Sequence, residues 1–162
     1  MPFTIENDPN VQRYPRLSFD ATGGVATVVY EDDRTLAANG VDIYGRRVTT
    51  AGVVQPAFAI ANTTKHEYKP RLATRTGTTQ EVVFATLAMG SVFNYDVTGQ
   101  TVSAGALSGA AYSISSAAGV REFTPVIGCQ TATSCVSPYR WFSPSSTDTD
   151  SDRIKARVIT YP

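Results

Sequence analysis

The chain has 162 residues and 14 basic against 14 acidic side chains, so its formal net charge is zero. That length suits one domain with one core. A balanced charge speaks against nucleic acid or an anionic membrane as partner, since both select a basic surface, and no apolar run is long enough to span a bilayer as a helix.

The opening residues M-P-F-T-I-E-N-D carry neither a basic start nor an apolar stretch, so no signal peptide is legible there. Pro15, Pro70 and Pro125 then recur at a spacing of 55 residues, each one or two positions after an aromatic residue (Tyr14, Tyr68, Phe123). A fixed period of this length is the mark of one supersecondary unit used three times.

In chain order, the first unit reads Y-P-R-L-S-F-D, V-A-T-V-V-Y-E-D-D, V-D-I-Y-G-R-R-V-T and A-F-A-I-A-N. The second reads K-P-R-L-A-T, E-V-V-F-A-T-L, S-V-F-N-Y-D-V-T and A-Y-S-I-S. The third reads T-P-V-I-G-C, V-S-P-Y-R-W-F-S and D-R-I-K-A-R-V-I-T-Y. These short β-branched and aromatic runs, bounded by Gly, Asn, Asp and Pro, predict strands. T-G-G at 22–24, T-G-T-T at 76–79 and the loop C-Q-T-A-T-S-C predict the turns between first and second strands. The Ala/Ser/Gly stretch at 104–119 reads as loop and strand, because Gly105, Gly109 and Gly119 oppose a helix.

Four antiparallel strands per unit predict an all-β fold, a β-propeller of three blades forming one module over 1–162, with a β-sandwich as the alternative. The repeats are 14–67, 68–122 and 123–162, the last completed by 1–13. Phe3–Ile5 (F-T-I) aligns with Phe58–Ile60 and Tyr112–Ile114, the fourth strands of the first two units, and the third unit shows none. Three blades are too few to close a ring. The expectation is a homodimer ring closed by strand exchange, an open filament of the same contact, or three blades of a longer propeller.

Cys129 and Cys135 fit a disulfide clamping a short loop between two strands, rather than a redox or zinc pair. With abundant Thr, Ser and Ala, this points to an extracellular or cell-surface setting.

Residues 30–52, Y-E-D-D-R to G-V-D-I-Y-G-R-R-V-T-T-A-G, resemble the blade of secreted bacterial β-propeller repeat proteins with a D-I-Y-G-x-R-V motif. The resemblance is sharp in the first unit and partial in the third, at Asp152, Ile154, Arg157 and Val158. It implies a propeller with an extracellular binding role and no particular activity. Asp42 and Arg47 within it read as structural, the one holding a turn and the other reaching a neighbouring strand.

Several constellations could carry chemistry. His66 is the one histidine and reads as a solvated loop residue, with no partner set for a Ser-His-Asp site or a metal hydrolase. Asp148, Asp150 and Asp152 alternate as in a calcium loop, which makes calcium the candidate cofactor, but the glycine and distal glutamate of an EF-hand are missing. Glu31, Asp32 and Asp33 form a second acidic group; a pair across a cleft could hydrolyse a glycoside, whereas Arg34 alongside suggests a salt-bridged turn. Tyr139, Arg140 and Trp141 are the candidate ligand-binding residues, since an exposed tryptophan beside arginine can hold a sugar face, with packing between blades as the competing reading. The expected function is a non-catalytic module recognising carbohydrate or a cell surface, ahead of a filament subunit and a glycoside-active enzyme.

Overall fold

The structure is a computed structural model and describes residues 2–92, 94–143 and 152–161. Asp148 and Asp150 of the acidic loop lie outside them. Three antiparallel sheets follow one another along the chain. The first contains β1 (Gln12–Phe19), β2 (Val25–Asp32), β3 (Asp42–Thr49) and β4 (Phe58–Ala61), with a single helical turn, α1 (Leu36–Asn39), between β2 and β3. The second contains β5 (Lys65–Thr76), β6 (Thr79–Ala88) and β7 (Tyr95–Ser103), then β8 (Ala106–Leu107) and β9 (Tyr112–Ser115), which both pair with β7 as a fourth strand in two pieces. The third contains β10 (Arg121–Phe123) and β11 (Gly128–Thr131), both on one edge of β12 (Ser134–Phe142), with β13 (Asp152–Thr160) on the other. The segment at 104–119 is thus loop and strand, and His66 lies in β5 rather than in a loop.

The sheets stack in series, not as the two layers of a sandwich. Val29, Ile43 and Ile60 of the first meet Val82, Phe84 and Val102 of the second. Val83, Val97 and Ile114 on the second sheet's other face meet Ile127, Cys135, Tyr139 and Ile159 of the third. Being covered on both faces explains β6, where T-Q-E-V-V-F-A-T-L-A is apolar on both sides of the strand and almost wholly buried. β13 is its opposite: comparably apolar at Ile154 and Val158, but exposed along nearly its whole length.

The 55-residue proline period marks a backbone device. Arg13 pairs with Glu31 and Arg16 with Val29, so Tyr14 and Pro15 together oppose Tyr30 alone. Lys69 and Pro70 likewise oppose Phe84, between the pairs Tyr68–Ala85 and Arg71–Val83. In the third sheet Phe123 pairs with Arg140 and the Val126 N–H reaches the Pro138 carbonyl, leaving Thr124 and Pro125 opposite Tyr139. Each is a one-residue bulge, where a proline without N–H forfeits no ladder bond. The residue before each proline is left-handed: φ is 54° at Tyr14, 53° at Lys69 and 50° at Thr124. Tyr30, Phe84 and Tyr139 are therefore one repeated position, an aromatic ring packed opposite the bulge.

The turns fall between first and second strands as the glycines and cysteines predict, and Cys129 and Cys135 are cross-strand partners joined by a disulfide. Within one copy Phe3–Ile5 forms no strand and does not pair with β13. Ile5 instead packs beside Val28, Tyr30, Tyr44 and Val48 on the outer face of the first sheet. Glu6 anchors the segment there, accepting from the Tyr30 hydroxyl (2.6 Å), Arg34 (3.1 Å) and Arg46 (3.1 Å). Burial pushes the Glu6 carboxyl up, but the bonds from Arg46, Tyr30, the Asp8 N–H and Arg34 outweigh it and hold it down to about 2.

Candidate functional site

The three bulges bring the start of each sheet to one cleft of about 510 Å³. The residue two positions before each proline lines it: Arg13 from β1, Tyr68 from β5 and Phe123 from β10. A common place in the repeat thus presents three chemistries to one space. Glu31 of β2, Lys69 of β5 and Tyr95 of β7 complete the working surface, beside Tyr14, Ala85 and Arg121.

Two features give the cleft rigid walls. The first is a row of rings in which Tyr68 and Tyr95 have centroids 6.4 Å apart and Tyr95 and Phe123 6.2 Å apart, both pairs tilted. His66 stacks on Tyr68 at 5.5 Å and accepts the Val41 N–H at Nδ1 (3.1 Å), while the Arg140 guanidinium lies 4.7 Å from the Phe123 ring. Gly40 makes the histidine's place possible, since a β-carbon there would fall 2.7 Å from Nδ1. The second feature is an ion pair in the same lining, where Arg13 Nε donates to Glu31 Oε2 at 2.8 Å. The Lys69 backbone N–H, turned out of the ladder by its bulge, donates to Glu31 Oε1 at 2.7 Å. Both oxygens of this buried carboxylate are thereby occupied, and it spans from the first sheet to the second.

A different chemistry lies just behind. Glu67, three residues before Pro70, is fully buried, and burial pushes its carboxyl up to about 7, assisted by the neighbouring Asp42. Asp42 is also raised by burial and accepts from the Thr35 hydroxyl, while the Thr63 hydroxyl donates to Glu67. Asp42 Oδ1 and Glu67 Oε2 have no other partner, which fits one proton held by Glu67 and shared between the two. Glu122 repeats the Glu67 position in the third sheet, raised by burial and bonded to the Ser115 hydroxyl at 2.5 Å.

The residues singled out from the sequence are dispersed. Tyr139 is buried and Trp141 half-buried on the face of β12 turned to the second sheet, and the Lys155 ammonium sits 3.6 Å from the Trp141 ring centre. Arg140 points to the opposite face and pairs with Asp152. Asp152 is thus held by an arginine, and no group of three metal-ligating side chains occurs among the described residues. Asp32 forms the salt-bridged turn with Arg34 (2.6 Å), and Arg47 reaches Asp20 at 3.5 Å. Of the acidic group, Glu31 alone enters the cleft. Arg13, Lys69 and Tyr95 escaped sequence reasoning. The available signal was the offset from each proline, which separates Arg13, Tyr68 and Phe123 from Tyr14, Lys69 and Thr124.

No family model and no curated protein matches this chain. Among solved structures it is similar to the crystal structure of an α-L-arabinofuranosidase from Lactobacillus brevis, with a TM-score of 0.53 and 11% sequence identity. The match covers 94% of this chain and 53% of that protein, so the chain spans about half its length. At that identity the likeness concerns the fold.

Proposed function

We propose that this chain is a non-catalytic, extracellular glycan-binding module built of three propeller blades, with the cleft between the blade starts as its binding site. The observation that carries this reading is the ring row Tyr68–Tyr95–Phe123 and the Arg13–Glu31 ion pair lining one cleft. Sugar rings pack their C–H faces on aromatic rings and take directional hydrogen bonds from charged groups, and the cleft supplies both on rigid strands. Beyond the Arg13–Glu31 ion pair its lining carries Lys69, so a glycan bearing carboxylate groups fits better than a neutral one. Hydrolysis of a glycoside ordinarily needs two carboxyl groups flanking the bond. Glu31 is the one carboxylate lining the cleft among the described residues, and both its oxygens are engaged. The disulfide accords with an oxidising, extracellular setting. A likeness to a protein named as a glycosidase is compatible with a sugar ligand, although a fold hosts many functions.

A glycan array followed by calorimetry tests the proposal. Binding of an acidic oligosaccharide is expected, lost in Tyr68→Ala and Phe123→Ala and retained in Trp141→Ala. Absence of binding to every glycan, or loss in Trp141→Ala alone, would overturn it.

A further inference from the structure

Each sheet in the stack has a face toward the preceding sheet and one toward the following sheet. At both existing junctions the same repeat positions are used. Leu72 and Ile127 belong to the faces turned back to the preceding sheet, and each packs into that junction. Leu17 holds the same place in the first sheet, one residue after Arg16 as Leu72 follows Arg71, and it is 59% exposed. On the forward faces, Ile43 and Val97 are fully buried, whereas their equivalent in the third sheet, Ile154, is 75% exposed and Val158 beside it 63%. The stack therefore ends in a forward face exposed at Ile154 and Val158 and in a rear face that Ile5 covers in part and that is exposed at Leu17.

The N-terminal segment sharpens this. Ile60 of β4 belongs to the first sheet but rests with Val82 and Phe84 of the second. Ile5 rests with Val28 and Tyr30, which hold the corresponding positions in the first sheet. Phe3 precedes Gln12 by nine residues as Phe58 precedes Glu67, and Asn7 corresponds to Asn62. Phe3–Ile5 thus lies where the fourth strand of a preceding sheet would lie. In the complete sheets that strand seats an aromatic ring on a residue without a side chain: a β-carbon on Gly45 would fall 2.8 Å from the Phe58 ring, and one on Gly99 2.4 Å from the Tyr112 ring. By register the same place on β13 is Ala156, opposite Pro138 as Gly45 is opposite Val29. It is exposed, small, and without a fourth strand among the described residues.

We infer that the occupant is a second copy of this chain, docked head to tail. The forward face of one copy's third sheet covers the rear face of the other's first sheet, and Phe3–Ile5 of that other copy pairs along β13, the Phe3 ring standing off Ala156 by the β-carbon that Gly45 and Gly99 lack. The contact is heterologous and reproduces the two junctions already inside the chain. It is independent of the ligand assigned to the cleft.

Size-exclusion chromatography with light scattering reads the result on the full chain of 17.3 kDa. A dimer, or a ladder if the rotation does not close, is expected at micromolar concentration. Ile154→Asp and Leu17→Asp change exposed side chains outside the internal cores, so both variants should keep a β-sheet circular dichroism spectrum and a cooperative melt, lowered only by the loss of the contact, while running as monomers. Mixing the two should restore a heterodimer, because each retains the face the other has lost. A parent that is monomeric at every concentration, variants that remain associated, or a mixture that stays monomeric would each overturn the inference.

Discussion

Lys69 donates its backbone N–H to the side chain of Glu31 at 2.7 Å, so a bulge in the second sheet is held by a buried carboxylate of the first. A left-handed residue, a proline without a donor and an anion in the neighbouring sheet meet at this point. It explains how a cleft of defined shape arises from strands that are otherwise regular.

Replacing Glu31 with alanine should lower stability by about 2–3 kcal/mol, because it strands a backbone donor and removes the partner of Arg13. Lys69→Ala keeps the N–H and changes only an exposed side chain, so it should move stability by less than about 0.5 kcal/mol. Urea unfolding of both variants checks the contrast, and equal effects would contradict it.

Stability should depend on pH through Glu67. Its carboxyl is raised from 4.5 to about 7 in the folded chain, so the folded state holds a proton that the unfolded chain has released across that window. Stabilisation is full below pH 4.5 and is lost as pH rises through 7, by up to about 3 kcal/mol. Raised Asp42 and Glu122 act with the same sign. Glu67→Gln should flatten the profile and exceed the parent in stability at pH 8. Denaturation series at pH 4.5, 6, 7 and 8 provide the measurement; a parent that gains stability across this range would contradict it.

Thr124 is a β-branched residue at φ 50°, a conformation that glycine adopts without strain. Thr124→Gly should therefore be neutral or raise stability by about 1 kcal/mol, against the usual cost of glycine in a strand. A melting point several degrees below the parent would show that the threonine side chain contributes contacts that exceed the strain.

The proline period was legible because a bulge needs the same local chemistry at each occurrence, and local chemistry repeats in sequence. Strand positions and turns followed for the same reason. The cleft was not legible, because Arg13, Tyr68 and Phe123 share a place in the repeat but no chemical type. Trp141 drew notice by its rarity. Alternation along β12 pairs it correctly with Tyr139, but alternation does not say which face turns inward. The 54- and 55-residue steps from Tyr30 to Phe84 to Tyr139 carried that information, as a core position used three times.

By itself the sequence determined an all-β chain, its threefold period, its disulfide loop and the kinship of Phe3–Ile5 with two fourth strands. These follow from backbone preference and spacing, which act over a few residues. Only the tertiary structure decided which ring faces the cleft, which carboxyls are buried, and which apolar side chains are exposed. Those depend on what lies across from each side chain, and that is set by the stacking of one sheet upon the next.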